Sequence, residues 1–128
     1  MNAGLDDSAA SRSLPAVVSN YLAASDRDDV DAIVACFTED AVVLDEDRQW
    51  RGADAIRQWR ENVATAFEYT VAIIGSEALG EVDGGQRHAV YTHVEGNFPG
   101  GQVDLTNRFT LRGDLIVGLE IVPTAGTA

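Results

Sequence analysis

Lysine is absent from this chain, cysteine and methionine occur once each, and only three prolines interrupt its 128 residues. With nine arginines against 21 acidic residues the net charge is −12 and the pI about 4.3. A field of that sign repels phosphate backbones and anionic headgroups, so neither nucleic acid nor a membrane is expected as a partner. The lone Cys36 has no second thiol for an internal disulfide and fits a reducing compartment. No apolar stretch approaches the roughly 18–20 residues of a membrane span. The opening MNAGLDDSAASRS lacks the basic start and apolar run of a secretion signal, so a cytoplasmic location is expected.

Cofactor and metal signatures are missing as well. Glycine pairs fall between strand-like runs and not at a strand-to-helix turn, so no dinucleotide fingerprint is present. His88 and His93 lie five apart on one strand and face opposite sides, which prevents them from sharing a metal. DEDRQWRG has neither the Asp/Asn alternation nor the glycine of a calcium loop. Cys36 has no histidine nearby in sequence and reads as packing. No cofactor and no metal are expected.

What is present changes character once along the chain. Residues 1–13 and 124–128 are small and polar and are expected to be mobile tails around a single domain over 14–123. The first half has helical spacing. Pro15 suits a first helical turn, and Val17, Val18, Tyr21 and Leu22 then share one face. After SDRDD, Val30, Ile33, Val34 and Phe37 mark a short second helix. RQWRGADAIRQWRENVATAF is expected to hold a third, with Asp54 near its start and Ile56, Trp59, Val63 and Phe67 at spacings of three and four. Between the last two helices lies the short apolar run AVVLDED. Trp50 and Trp59 read as core or pocket lining.

From Tyr69 onward the pattern alternates, giving four strands separated by the turns DGG, PGGQ and RGD. Helices first and an antiparallel meander afterwards predict an α+β domain, with three helices on one face of a curved sheet. In HAVYTHVEGNF the face carrying Val90, Thr92 and Val94 is the less polar one and is expected to point inward. In QVDLTNRFTL the inward set is Val103, Leu105, Asn107, Phe109 and Leu111, which places one amide among apolar neighbours. An unpartnered buried amide costs roughly 1–3 kcal/mol, so Asn107 is either satisfied by another polar group or awaits a ligand. Phe67, Phe98 and Phe109 suggest a chamber tolerant of aromatic ligands.

The order helix, helix, short strand, helix, four strands resembles the nuclear-transport-factor-2-like (NTF2-like) superfamily, and within it the SnoaL-like polyketide cyclase and ketosteroid isomerase branch. The resemblance covers roughly residues 14–122 and rests most on Y-x-x-A at Tyr21–Ala24, D-x-x-x-(I/V)-x-x-x-F-x-x-D-A at Asp29–Ala41 and R-G-x-x-A-I-R at Arg51–Arg57. It implies a cone-shaped fold and a site whose three parts fall on Tyr21, Asp45 and Asn107. In ketosteroid isomerases, a worked pKa-tuning example in general enzymology, those parts are a tyrosine donor, an aspartate base and a protonated acid.

By that resemblance Asp45 takes a proton alpha to a carbonyl, while Tyr21 and Asn107 hold the developing oxyanion. Trp59, Phe67, Val90, Thr92, Val94, Val103, Leu105 and Phe109 line a pocket for a small apolar steroid-like or polyketide-like carbonyl compound. Epoxide hydrolysis by an Asp–Arg–Asp set is disfavoured, because Asp104 and Arg108 face away from the inner side. The alternative is a non-catalytic binding or association module, a homodimer formed through the outer sheet face at Tyr91, His93, Asp104, Arg108 and Glu120.

Overall fold

Glu46 and Asp47 both adopt positive φ, 53° and 63°. That is the backbone of a two-residue type I′ hairpin turn, whose twist matches the strands on either side. It folds the chain back on itself, so RQWR is a strand, and the third helix begins after it, beside Asp54, as the sequence indicates. The signal is hidden because Glu-Asp stands where Asn-Gly or Asp-Gly would announce such a turn.

The computed structural model describes residues 14–66, 68–82 and 85–124. Helix α1 spans Ala16–Asp26, α2 Val30–Ala35 and α3 Ala53–Ala66. The strands are β1 (Phe37–Asp45), β2 (Arg48–Arg51), β3 (Tyr69–Val82), β4 (Gly85–Gly96), β5 (Gln102–Arg112) and β6 (Leu115–Pro123). Residues 1–13, 67, 83–84 and 125–128 lie outside the described set, and with them Phe67 and most of the expected DGG turn. Thr124, placed in the C-terminal tail by sequence, is docked: its N–H donates to the Asp104 carbonyl at 2.9 Å and its hydroxyl meets that of Thr106 at 3.1 Å.

Local chemistry sets the helix ends. Pro15 precedes α1 with ψ 148°, as its N-cap, and its carbonyl accepts from Val18 and Ser19. Asp29 caps α2 by accepting from the Ala32 N–H at 3.2 Å. Phe37, expected on that helix, instead opens β1. Gly52, at φ +87°, turns β2 into α3 in a conformation side chains with a Cβ resist.

All six strands form one sheet in the order β2-β1-β6-β5-β4-β3. Four of the five pairings are antiparallel, as the meander predicts, but β1 and β6 run parallel. The sheet is therefore mixed. Helix α3 carries the chain from β2 to the far edge, and the meander then returns to lay β6 beside β1. Bulges interrupt β3 at two points and the β5–β6 pairing at one, and each adds bend and twist.

The helices cover the concave face. Val18 and Tyr21 of α1, Ile33 of α2, and Ile56 and Trp59 of α3 pack on Val43, Val90, Phe109, Ile116 and Leu119. Burying each large aliphatic or aromatic side chain in that layer contributes about 1.5–3 kcal/mol.

Candidate functional site

Strand register brings two of the three expected site residues into one row. Asp45 of β1 lies opposite Ile121 of β6, Ile121 opposite Asn107 of β5, and Asn107 opposite Val90 of β4. Two strand spacings put Asp45 and Asn107 about 10 Å apart on the helix-facing side. The inner positions beyond this row, Val103 and Leu105, are only half-buried, as are Ile121 and Asp45. This end of the cone is its open end.

Tyr21 reaches the same region from α1. Its ring is buried edge-on against Phe37 (5.8 Å between centroids) and Phe109 (5.5 Å). Burial pushes its phenol up to about 12; the nearby Arg60 opposes that rise, while Tyr69 and Asp45 add to it. The hydroxyl is thus a neutral donor at pH 7, within electrostatic reach of Asp45. The Asp45 Oδ2 accepts a 3.0 Å hydrogen bond from Trp59 Nε1. Trp59 lies three residues after Ile56 on the buried stripe of α3, so helix packing fixes the orientation of the carboxylate.

Asn107 answers the question its sequence position raises. Its Nδ2 donates to the Val90 carbonyl at 3.0 Å and to the Thr92 hydroxyl at 3.1 Å. A carbonyl only accepts, so the nitrogen and not the oxygen must face it. Both amide protons are thereby committed within the sheet. As an oxyanion donor Asn107 has nothing left to give, and its polar group is satisfied by neighbours instead of awaiting a ligand.

Arg60 was not among the residues expected to act. It is 4% exposed and sits between Trp59 and Tyr69, with its guanidinium 5.2 Å from the Trp59 ring. Nη2 donates to the Tyr69 hydroxyl at 3.4 Å and to Asp28 Oδ1 at 3.5 Å. Both contacts are long for a charge-assisted bond, which typically spans about 2.7–2.9 Å. Nε is buried and, among the described residues, has no acceptor. Burial alone would lower the guanidinium's proton affinity, but the phenols of Tyr21 and Tyr69 and the Asp28 carboxylate outweigh it, and Arg60 stays charged. The signal was available in the sequence, because Arg60 falls four residues after Ile56 and three before Val63, inside the apolar stripe of α3.

The expected pocket lining divides in two. Val90 and Phe109 have no exposed surface, and Thr92, Val94 and Trp59 are buried, so these five form the wall of the core. Val103 and Leu105 retain accessible surface at the open end. Phe67 lies outside the described residues. A cavity of about 630 Å³ lies at the other end of β5, between α1, α2 and the β5–β6 hairpin, where Asn20, Ala23, Cys36 and Leu111 contribute to its wall. It includes none of Tyr21, Asp45 or Asn107.

The opposite sheet face carries polar and charged pairs, most of them between neighbouring strands. His93 Nδ1 meets Asp104 at 2.6 Å and Nε2 meets Glu95 at 2.9 Å, Arg108 pairs with Glu120 at 2.7 Å, and the Tyr91 hydroxyl donates to Glu77. Asp104 and Arg108 point away from the cone, as the strand alternation requires. Among the described residues no cluster of three or more His, Cys, Asp or Glu side chains is placed to hold a metal ion, and no helix is long and apolar enough to cross a membrane.

Comparison with known proteins adds a family to this geometry. A family model of the SnoaL-like domain matches residues 18–119. A candidate polyketide cyclase from Sinorhizobium meliloti is 35% identical over 85% of this chain and 95% of its own, with a TM-score of 0.75. A protein of ketosteroid isomerase-like fold from Catenulispora acidiphila, solved with trimethylamine, is 17% identical over 88% of each chain, with a TM-score of 0.72. The Orange Carotenoid Protein of Anabaena, binding canthaxanthin, is 21% identical over 89% of this chain and 37% of its own, with a TM-score of 0.76. At such identities the last two show the fold alone. A search of curated proteins returns no match.

Proposed function

Because the chain belongs to the SnoaL-like domain family, we propose that it is a cofactor-independent isomerase or cyclase acting on an apolar carbonyl compound. The observation that carries this reading is Asp45: a carboxylate on the inner face, at the open end, with one oxygen held by Trp59. Its second oxygen takes a proton from the carbon alpha to the substrate carbonyl, and the C–H electrons pass into that carbonyl as an enolate. A carboxylate is a weak base for such a carbon, so the reaction depends on donors aimed at the new oxyanion. Tyr21 is the donor, since its phenol keeps its proton at neutral pH. The proton returns to another carbon in an isomerisation, or the enolate carbon attacks a second carbonyl in a cyclisation.

Asn107 enters as a positioning residue. By tying Val90 and Thr92 to β5 it fixes the wall against which the substrate lies. Val103, Leu105 and Trp59 supply the apolar contacts, and Val90, Thr92, Val94 and Phe109 stand behind them. The single free thiol of Cys36 suits a cytoplasmic setting.

The test is proton exchange in D₂O, followed by NMR on 2-tetralone and a panel of cyclic enones. The wild type is expected to wash out the alpha protons. Asp45→Asn slows exchange by about 10²–10⁴-fold while ligand affinity stays within twofold. If the wild type exchanges no ketone faster than buffer does, the enzymatic reading fails.

A second reading is favoured by the outer sheet face. Two of its acids, Asp104 and Glu120, are paired with His93 and Arg108 across strands, and the adjoining edge strand β3 exposes Ile74 and Leu79. Such a surface suits association with a second copy, and the protein then serves as a homodimeric small-molecule-binding module.

A further inference from the structure

Arg60 is a buried cation without a close counter-ion. Its nearest carboxylate, Asp28, is 3.5 Å away, and the side chain of Asp28 is 56% exposed on the loop between α1 and α2. Water screens that partner, whereas nothing in the described chain accepts from the buried Nε. Taking a guanidinium out of water costs several kcal/mol unless an anion meets it with good geometry. The same region offers the Tyr69 hydroxyl at 3.4 Å and the Tyr21 hydroxyl within electrostatic reach.

We propose that Arg60, assisted by Tyr69, is the recognition site for the carboxylate of an organic monoanion entering the open end of the cone. Nε and Nη2 form the side-on fork of the guanidinium, two parallel N–H groups that match the two oxygens of a carboxylate. Nε has a vacant proton, and Nη2 is engaged only at distances a carboxylate would improve on. A monoanion is the fitting charge. The Tyr21 phenol is neutral, the Asp28 carboxylate lies 3.5 Å from the guanidinium, and the chain carries −12, so the second charge of a phosphate monoester meets repulsion. The body of the ligand is apolar, since the Trp59 ring lies 5.2 Å from the guanidinium and the half-buried inner residues at the open end, Val103 and Leu105, are apolar.

This inference deepens the proposed function by giving its substrate an acid group, and rests on that reading only for the choice of the open end as the site. Its test reads binding, whereas the proposed function is tested by exchange, so either can fail alone. Calorimetry on the full chain compares 2-naphthoate, the neutral 2-naphthamide and 2-naphthyl phosphate. We expect 2-naphthoate to bind at least tenfold more tightly than the amide and more tightly than the phosphate. Arg60→Gln is expected to erase the preference over the amide.

Asp28→Asn provides a variant that keeps the fold, because Asp28 has φ 53° and asparagine tolerates that conformation well. Removing the competing carboxylate is expected to tighten 2-naphthoate about threefold and leave the amide unchanged. In the wild type, the Arg60 Nε–H resonance moves downfield on adding 2-naphthoate. Equal binding of acid and amide, no binding of either, tighter binding of the phosphate, a preference that survives Arg60→Gln, or an Nε–H resonance unmoved by 2-naphthoate would each overturn the assignment.

Discussion

His88 and His93 stand five residues apart on β4 and face opposite sides of the sheet, and their chemistry diverges accordingly. His88 is buried on the inner side of the sheet, where Nδ1 finds no partner among the described residues, and burial lowers its proton affinity below the usual histidine value near 6.5. His93 lies on the outer face, and its hydrogen bonds to Asp104 first and Glu95 second raise its affinity above that value. The signs follow by linkage. The His93 contribution to stability is fully present below about pH 6.5 and is lost as pH rises through the higher folded value. The His88 contribution is present above about pH 6.5 and is lost as pH falls through the lower folded value. An NMR titration of the two ring protons should show His88 titrating below the random-coil histidine and His93 above it. Asp104→Asn should bring only His93 down.

Among the elements, the start of β3 is placed by one close approach. A Cβ on Gly96 would lie 2.5 Å from the Glu68 carbonyl oxygen and 2.7 Å from the Tyr69 Cβ. The two backbones are also tied by the Asn97 N–H to the Glu68 carbonyl at 3.1 Å and the Glu68 N–H to Asn97 Oδ1 at 3.0 Å. Backbone cannot swing aside as a side-chain tip can, so Gly96→Ala is expected to cost about 1–3 kcal/mol. Gly75→Ala is the control. Its Cβ would meet the Tyr91 ring at 3.5 Å, an ordinary contact, and the change should stay within about 0.5 kcal/mol. Urea denaturation of both variants measures the difference. Because Tyr69 follows Glu68 directly, the same substitution disturbs the hydroxyl beside Arg60.

For the molecule as a whole, the open question is association through the outer face. The proposed dimer has the mass of two 13.7 kDa chains, which sedimentation equilibrium distinguishes from one. Tyr91 lies at the middle of that face, half-buried and bonded to Glu77. Tyr91→Glu places a second negative charge beside Glu77 on each copy and should shift the equilibrium to monomer. The inner face is untouched by this change, so ligand binding should persist. A wild type that sediments as a single chain at every concentration would remove the dimer and leave the site reading standing.

The sequence by itself determined the elements that repeat a period: the apolar stripes of α1 and α3, the alternation of β4 and β5, the inward face of Val90, Thr92 and Val94, and the family resemblance that those elements carry. Periodicity is local, and a chain of a dozen residues expresses it without help. It could not show that Glu-Asp forms the β1–β2 turn, because that backbone conformation is rare for those residues and is held by strand pairing. Nor could it place β1 parallel to β6, since pairing between chain ends depends on where α3 delivers the chain. Asn107 shows the limit most plainly. Its burial was legible from alternation, but its partners, Val90 and Thr92, lie 17 and 15 residues away on another strand. Only the tertiary structure decided that the amide is spent there and that the Arg60 Nε is left without an acceptor among the described residues, because satisfying a buried polar group is a matter of distance in space.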